Sequence, residues 1–122
     1  MPLYSYTADL APKVESGDKC QTYRTKRTPR PKVGQKACNY AGSYSQKRQH
    51  LGSPEITDVI DVLIGGKGII FNYGKQGEFA QNDLYCLNIE AQLDGFKDWR
   101  DMRDWFDKTH GLPFEGDLIK WQ

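Results

Sequence analysis

The fold is decided by residues 56–73, which read ITDVIDVLIGGKGIIFNY. β-Branched and aliphatic residues dominate the run from Ile56 to Ile64, a composition typical of a strand. The glycine-rich segment 65–68 then leads into a second apolar run, from Ile69 to Tyr73. Two such runs joined by a tight turn predict an antiparallel β-hairpin.

Helical periodicity appears on the C-terminal side of this hairpin. Trp99, Met102 and Phe106 recur at three- and four-residue spacing, which predicts an amphipathic helix over residues 97–109. Residues 83–92 fit a helix capped by Asn82, although the same residues also alternate as a strand would. We favour the helix.

The other predicted elements are shorter. They are a helix over 9–17, strands over 20–25, 36–40 and 118–121, and loops over 26–36 and 42–52. Short strands mixed with a few helices, out of strict βαβ order, predict an α+β domain built on a small mixed barrel. Trp99, Phe106 and Trp121 are expected to pack in its core, and Trp105 widens the apolar face of its helix.

Composition limits the class of protein. The chain has 122 residues, of which 38% are hydrophobic and 12% aromatic, which predicts one folded domain and excludes a fully disordered chain. No apolar run is long enough to span a membrane, and the first residues lack the pattern of a secretory signal, so we expect a cytoplasmic protein. Cys20, Cys38 and Cys86 form no CxxC pair, so we expect no disulfide framework, metal site or cofactor.

Charge is distributed unevenly along the chain. Residues 1–50 contain ten Lys or Arg against three Asp or Glu, a net of +7, and residues 51–122 contain seven against thirteen, a net of −6. Positive charge interleaved with tyrosines suits single-stranded nucleic acid, because cations neutralise phosphates and rings stack on bases. Two structural explanations stay open. The basic residues can belong to a solvated loop, with the tyrosines half-buried in strands, or the acidic half of the chain can neutralise the basic half across the fold.

The candidates for nucleic-acid or substrate contact lie in the basic half. They are Arg24, Lys26, Arg27 and Arg30 as phosphate-binding cations, and Tyr40 and Tyr44, which flank Gly42, as stacking rings.

Three motifs occur in order along the chain. Residues 16–24 read SGDKCQTYR, residues 32–35 read KVGQ before a predicted strand, and residues 94–99 read DGFKDW at the start of a helix. This ordered set resembles the ASCH domain family of the PUA-like superfamily, in a small phage or bacterial form. The resemblance covers residues 4 to 121.

The resemblance implies a single ASCH domain over residues 1–122, with a PUA-like β-barrel whose cleft faces RNA or a modified nucleobase. One branch of the family is an amidohydrolase that removes acetyl from acetylcytidine, and Lys19 and Thr22 match its Lys and Thr. Asp94 falls where that branch carries a Glu. Other members are proposed to bind RNA or to cleave it.

The residue types are compatible with amide hydrolysis, which needs a nucleophile, a proton carrier and an oxyanion stabiliser. Thr22 offers a hydroxyl, and Lys19 accepts its proton only if burial lowers the lysine pKa; otherwise Lys19 stabilises developing negative charge. Asp94 orients Lys19 or carries a proton to the leaving amine. Arg24 lies two residues from Thr22, on the same face of a strand, where it can hold a phosphate or a carbonyl.

Three functions therefore stay open: an RNA- or nucleobase-binding module, a hydrolase of an acylated nucleobase with Lys19, Thr22 and Asp94 as its working group, and a phage accessory protein that binds a host protein. The last would use the acidic face of the predicted helix over 97–109. That face carries Asp98, Asp101, Asp104 and Asp107, a spacing that also marks an ordinary solvated face.

Overall fold

A computed structural model describes residues 2–42 and 48–122. These residues form eight strands and three helices. In chain order they are β1 (Leu3–Tyr6), α1 (Ala11–Ser16), β2 (Gln21–Arg24), β3 (Cys38–Ala41), β4 (Gln49–Gly52), β5 (Ile56–Ile64), β6 (Ile69–Phe71), β7 (Phe79–Gln81), α2 (Leu84–Leu93), α3 (Trp99–Thr109) and β8 (Phe114–Trp121).

The predicted hairpin supplies two strands, β5 and β6, of a five-stranded sheet with the strand order β2-β8-β5-β6-β7. β5 and β6 pair antiparallel, with Ile64 opposite Ile69, as the sequence predicts. β8 begins at Phe114, four residues before the predicted start at Leu118, because it pairs with β5 as far as Ile64. Strand propensity does not predict this longer strand, because it contains Gly116 and Asp117 and both residue types are depleted in strands.

A second sheet has three strands in the order β1-β3-β4, and β1 runs parallel to β3. The strand expected over 36–40 is confirmed as β3, but β1, β4 and β7 were not predicted. β4 lies within the stretch 42–52 that was expected to be a loop. β4 and β7 are short and largely exposed, so they lack the buried apolar alternation that identifies a strand from sequence.

The five-stranded sheet buries both of its faces. Leu118 on β8 points to a core that it shares with α2 and α3, whereas its neighbour Ile119 packs in a second core with β1 and α1. Successive strand residues point to opposite faces, so β8 contributes to both cores in turn. The predicted core residues Trp99, Phe106 and Trp121 are all buried, which confirms that expectation.

The helix predictions are confirmed in type and differ at the ends. α2 is a helix, and its N-cap is Asp83 rather than Asn82: the Asp83 carboxylate accepts a hydrogen bond from the Cys86 backbone N–H. α1 is shorter than expected and ends at Gly17, which takes the left-handed conformation at φ 88°.

The architecture is therefore α+β, with two sheets and three helices in the part of the chain that is described. No closed barrel is found among the strand pairings of the described residues. None of the described helices has the length and the apolar composition needed to cross a membrane.

Candidate functional site

A cavity of about 320 Å³ lies between the edge strands of the two sheets. β1 contributes Ser5 and Tyr6 to one wall, and β2 contributes Thr22 and Arg24 to the opposite wall. The end of α2 and one face of α3 complete the enclosure. Below, this space is called the central cavity.

Lys19, Thr22, Arg24 and Asp94 all line the central cavity, although Asp94 is 75 residues from Lys19 in the chain. Lys19, Thr22 and Asp94 are buried, with 2%, 4% and 5% of their surface exposed. The four positions that sequence reasoning grouped into a cleft thus share one cavity in the fold.

Local chain geometry explains how Lys19 and Asp94 meet. Asp94 ends α2, and Gly95 follows in the left-handed conformation at φ 95°. The Phe96 N–H donates to the Ala91 carbonyl and the Gly95 N–H donates to the Gln92 carbonyl, the two bonds of a Schellman motif. The Asp-Gly-Phe motif is therefore a helix terminus that turns the Asp94 carboxylate inward.

The Lys19 ammonium reaches this helix end. Its Nζ donates to the Asp94 carboxylate at 2.9 Å and to the Asp94 backbone carbonyl at 2.6 Å. A cation at the C-terminus of a helix is favourable because unsatisfied carbonyls concentrate negative charge there. The aspartate side chain is thus long enough for direct contact with Lys19.

Burial shifts both members of this pair towards their neutral forms. It raises the pKa of Asp94 to about 6, even though the nearby Lys19 ammonium opposes the shift. Burial likewise lowers the pKa of Lys19, and the Asp94 carboxylate only partly compensates. The pair is thus suited to taking up or releasing a proton close to neutral pH.

Thr22 and Arg24 lie on the same face of β2, as their spacing predicts. The Arg24 Nε donates to the Thr22 hydroxyl oxygen at 2.9 Å, and an Nη of the same guanidinium donates to the Ser5 carbonyl at 2.9 Å. Thr22 is therefore an acceptor towards Arg24, which leaves its own hydroxyl proton to be donated elsewhere.

Tyr6 lies beneath these charged groups. Its ring centroid is 5.0 Å from the Arg24 guanidinium carbon and 5.9 Å from the Lys19 Nζ. Its hydroxyl donates to the Asn39 side-chain oxygen at 3.2 Å. Burial raises the pKa of Tyr6, so this ring stays neutral and supports the two cations through its π-face.

Sequence reasoning missed an aromatic wall on the other side of the cavity. Phe96, Trp105 and His110 line it, with ring centroids of Trp105 5.8 Å from each of the other two. Trp105 keeps 46% of its surface exposed, unlike the buried Trp99 and Phe106 of the same helix. A tryptophan at the solvent side of an amphipathic stripe was the signal in the sequence that pointed to this wall.

The four cations predicted to bind phosphate divide into two pairs. Lys26 and Arg30 contact a pair of aspartates, Asp61 on β5 and Asp117 on β8, which lie opposite each other in the sheet. Like charges opposite each other repel, and the two cations compensate that repulsion. The charges of Lys26 and Arg30 are therefore balanced within the fold, as the sequence-based alternative of internal neutralisation anticipated.

Arg27 and Arg24 have a different environment. An Nη of Arg27 donates to the Leu3 carbonyl at 3.0 Å, and its guanidinium carbon lies 4.6 Å from the Tyr4 ring centroid. Both arginines thus occupy the free edge of β1 and bond neutral carbonyl oxygens. Beside them opens a second cavity of about 520 Å³, called the arginine cavity below, which Arg24, Arg27 and Arg30 help to line.

Tyr40, one of the two tyrosines predicted to stack on bases, does not line the central cavity. Tyr40, on β3, contacts the His50 ring at 5.2 Å and the Arg48 guanidinium carbon at 4.4 Å, and it is not among the residues that line this cavity. Tyr44 lies outside the described residues.

The aspartates of α3 largely serve the helix itself. Asp98 caps its first turn by accepting from the Asp101 N–H, and Asp101 accepts from the Lys97 N–H. Asp104 pairs with its neighbour Arg103, and Asp107 is exposed. Within residues 2–42 and 48–122, no group of three His, Cys, Asp or Glu side chains is arranged to hold a metal ion.

Comparison of the chain with protein-family models, with curated proteins and with solved structures finds no match in any of the three. The site is therefore interpreted from its own geometry.

Proposed function

We propose that this protein is an amidohydrolase that removes an acyl group from an acetylated nucleobase or nucleoside, on an ASCH-type, PUA-like fold. One observation carries the proposal: Lys19, Thr22, Arg24 and Asp94 converge on one cavity, where Lys19 and Asp94 are paired and have pKa values shifted towards neutrality. The agreement of that cluster with the family motif is the second support.

The cavity suits an aromatic heterocycle. Its volume of about 320 Å³ lies at the lower end of the range of about 300–1,000 Å³ usual for small-molecule sites, so it suits a single base rather than a large ligand. The half-exposed Trp105 offers a flat face for stacking at the mouth. Polar groups at the floor, chiefly Lys19 and Thr22, would then face the acyl substituent.

The reaction follows from these roles. The Thr22 hydroxyl oxygen attacks the acyl carbon, and the Lys19–Asp94 pair takes up the hydroxyl proton. The Arg24 guanidinium stabilises the negative charge that develops on the carbonyl oxygen. The carbon–nitrogen bond then breaks, and the base leaves as its amine with the proton from the pair. Water hydrolyses the threonine ester, which releases acetate and restores the hydroxyl.

A chromatographic assay with acetylcytidine tests this proposal. The wild type should release cytidine and acetate, and Thr22→Val, which keeps the shape and loses the hydroxyl, should lower kcat/KM by at least about 10³-fold. Arg100→Gln, an exposed change on α3, is the control and should leave the rate unchanged. An inert wild type, or a Thr22→Val variant at full rate, would show that the proposal is wrong.

RNA binding without hydrolysis is the second candidate, and the arginine cavity is the observation that favours it. Fluorescence anisotropy with a labelled single-stranded RNA at two salt concentrations would identify this function by binding that weakens as salt rises. We place either activity in the cytoplasm, because the three cysteines of the sequence form no CxxC pair, as is usual in a reducing compartment.

A further inference from the structure

The arginine cavity has the composition of an anion site. Arg24, Arg27 and Arg30 line it together with Ser5, Thr28 and Gln35, and neither Asp nor Glu is among its lining residues. Guanidinium groups bind phosphate through paired N–H donors and keep their charge at every physiological pH. The lining therefore points to a phosphate-bearing ligand.

The balance of charge identifies which arginines are available to that ligand. Arg30 is bound to Asp61 and Asp117, so its charge is already compensated. Arg24 and Arg27 donate to the neutral carbonyl oxygens of Ser5 and Leu3, and within the described residues neither has a carboxylate at ion-pair distance. The β1 edge thus fixes two guanidinium groups in place without cancelling their charge.

The arginine cavity adjoins the central cavity, since Arg24 and Ser5 line both. We infer that the arginine cavity binds the phosphate of a nucleotide whose base occupies the central cavity, with Arg27 as its main phosphate ligand. The inference rests on the proposed function for the base, and it sharpens the substrate class from nucleoside to nucleotide. The volume of about 520 Å³ exceeds the needs of one phosphate group and leaves room for an adjoining nucleotide of a strand.

Calorimetric titration with three ligands tests the inference: acetylcytidine, its 5′-monophosphate and a trinucleotide with acetylcytidine at its centre. The monophosphate should bind at least about tenfold more tightly than the nucleoside at low salt, since one charge-assisted contact is worth that much. The advantage should shrink as salt rises. A trinucleotide that binds more tightly still identifies a strand as the substrate, and equal affinity identifies the mononucleotide.

Two variants locate the phosphate. Arg27→Gln should remove the advantage of the monophosphate and leave the affinity for the nucleoside unchanged. Thr28→Asp, which adds a negative charge to the exposed lining, should do the same without touching the bonds of Arg27 to β1. Arg100→Gln, which lines neither cavity, is the control, and circular dichroism confirms that each variant is folded.

The outcomes separate this inference from the proposed function. Nucleoside and monophosphate of equal affinity, together with measurable deacetylation, would overturn the inference and leave the proposed function intact. A monophosphate that binds through Arg27 but is never deacetylated would overturn the proposed function and support the phosphate site. Binding of none of the three ligands would overturn both.

Discussion

The cations of two charged clusters lie a few residues apart in the segments that flank β2, but the two clusters have opposite electrostatic environments. In the first, one lysine meets one aspartate, Lys19 and Asp94, inside the protein. In the second, Lys26 and Arg30 meet Asp61 and Asp117 at the edge of solvent. The residue types are nearly the same, but the pKa values move in opposite directions.

The pKa values differ in direction because the two clusters differ in how deeply they are buried and in how many oppositely charged partners each group has. Burial dominates in the first pair, so the pKa of Asp94 rises and that of Lys19 falls. In the second cluster burial is still the largest single effect, but the hydrogen bonds and charges of two opposite partners together outweigh it, so the pKa of Lys26 rises and that of Asp61 falls. A buried single pair is thereby suited to moving protons, and an exposed network to keeping fixed charges in place.

Exchange of the two lysines for methionine should break this contrast most clearly. Lys19→Met removes one member of the proton-accepting pair from the central cavity, so kcat/KM for deacetylation should fall by about 10²–10⁴-fold. Lys26→Met removes a structural charge, so the rate should stay near that of the wild type. Steady-state kinetics of both variants, with melting temperatures to confirm folding, checks the prediction; equal losses in the two variants would contradict it.

Asp117→Asn probes the structural cluster through stability. Asp117 is buried, with 1% of its side chain exposed, whereas Lys26 and Arg30 keep 38% and 42%. Loss of a partner from a fully buried pair costs about 3–5 kcal/mol, so partly exposed cations imply about 2 kcal/mol here. Urea unfolding measures the loss.

Glu115→Gln is the matched control for this variant, because Glu115 is exposed on the same strand. It should change the free energy of unfolding by less than about 0.5 kcal/mol. An Asp117→Asn variant as stable as this control would show that the ion pairs of Asp117 with Lys26 and Arg30 do not stabilise the fold.

Mild acid should separate activity from stability. Below about pH 6 the Asp94 carboxyl becomes protonated, and the Lys19–Asp94 pair can then no longer accept the hydroxyl proton of Thr22. The value of kcat/KM should therefore fall about tenfold per pH unit. Because the folded pKa of Asp94 is raised, its protonation favours the folded state below its ordinary pKa, and that contribution is lost as pH rises through about 6.

Asp61 has the opposite sign. Its folded pKa is lowered, so its contribution to stability persists above its ordinary pKa and is lost only when pH falls through the lowered value. Between pH 7 and pH 5 the melting temperature should therefore rise slightly, through protonation of Asp94, while the rate falls. A pH–rate profile beside thermal melts over about that range is the measurement, and parallel losses of rate and melting temperature would refute the assignment.

The smallest effect is expected at the turn that presents Asp94. Gly95→Ala places a side chain at φ 95°, which costs about 1 kcal/mol, and brings its Cβ to 2.6 Å from the Leu10 side chain. Leu10 lines the central cavity, so KM should also rise. Gly66→Ala, whose Cβ would meet no atom within 4 Å, is the control for thermal melting and kinetics. Identical melting and KM in both variants would count against this role of Gly95.

Local patterns determined much of the fold. The β5–β6 hairpin, α3 and the burial of Trp99 and Phe106 follow from periodicity and turn composition, because these elements have strong apolar faces. The periodicity of α2 is weaker, and its residues also fitted a strand. The β1 and β4 strands do not follow from such patterns, because β1 is short and pairs with a strand distant in the chain, and β4 is short and largely exposed.

The sequence by itself determined which residue types could do chemistry, and the order of the three motifs named Lys19, Thr22 and Asp94. Only the tertiary structure decided their charge states and neighbours. Asp61 and Asp117 come opposite each other through sheet register, and that register decides that Lys26 and Arg30 are neutralised whereas Arg24 and Arg27 bond neutral carbonyls. Electrostatic energy depends on distance and burial in space, and neither can be read from spacing along a chain.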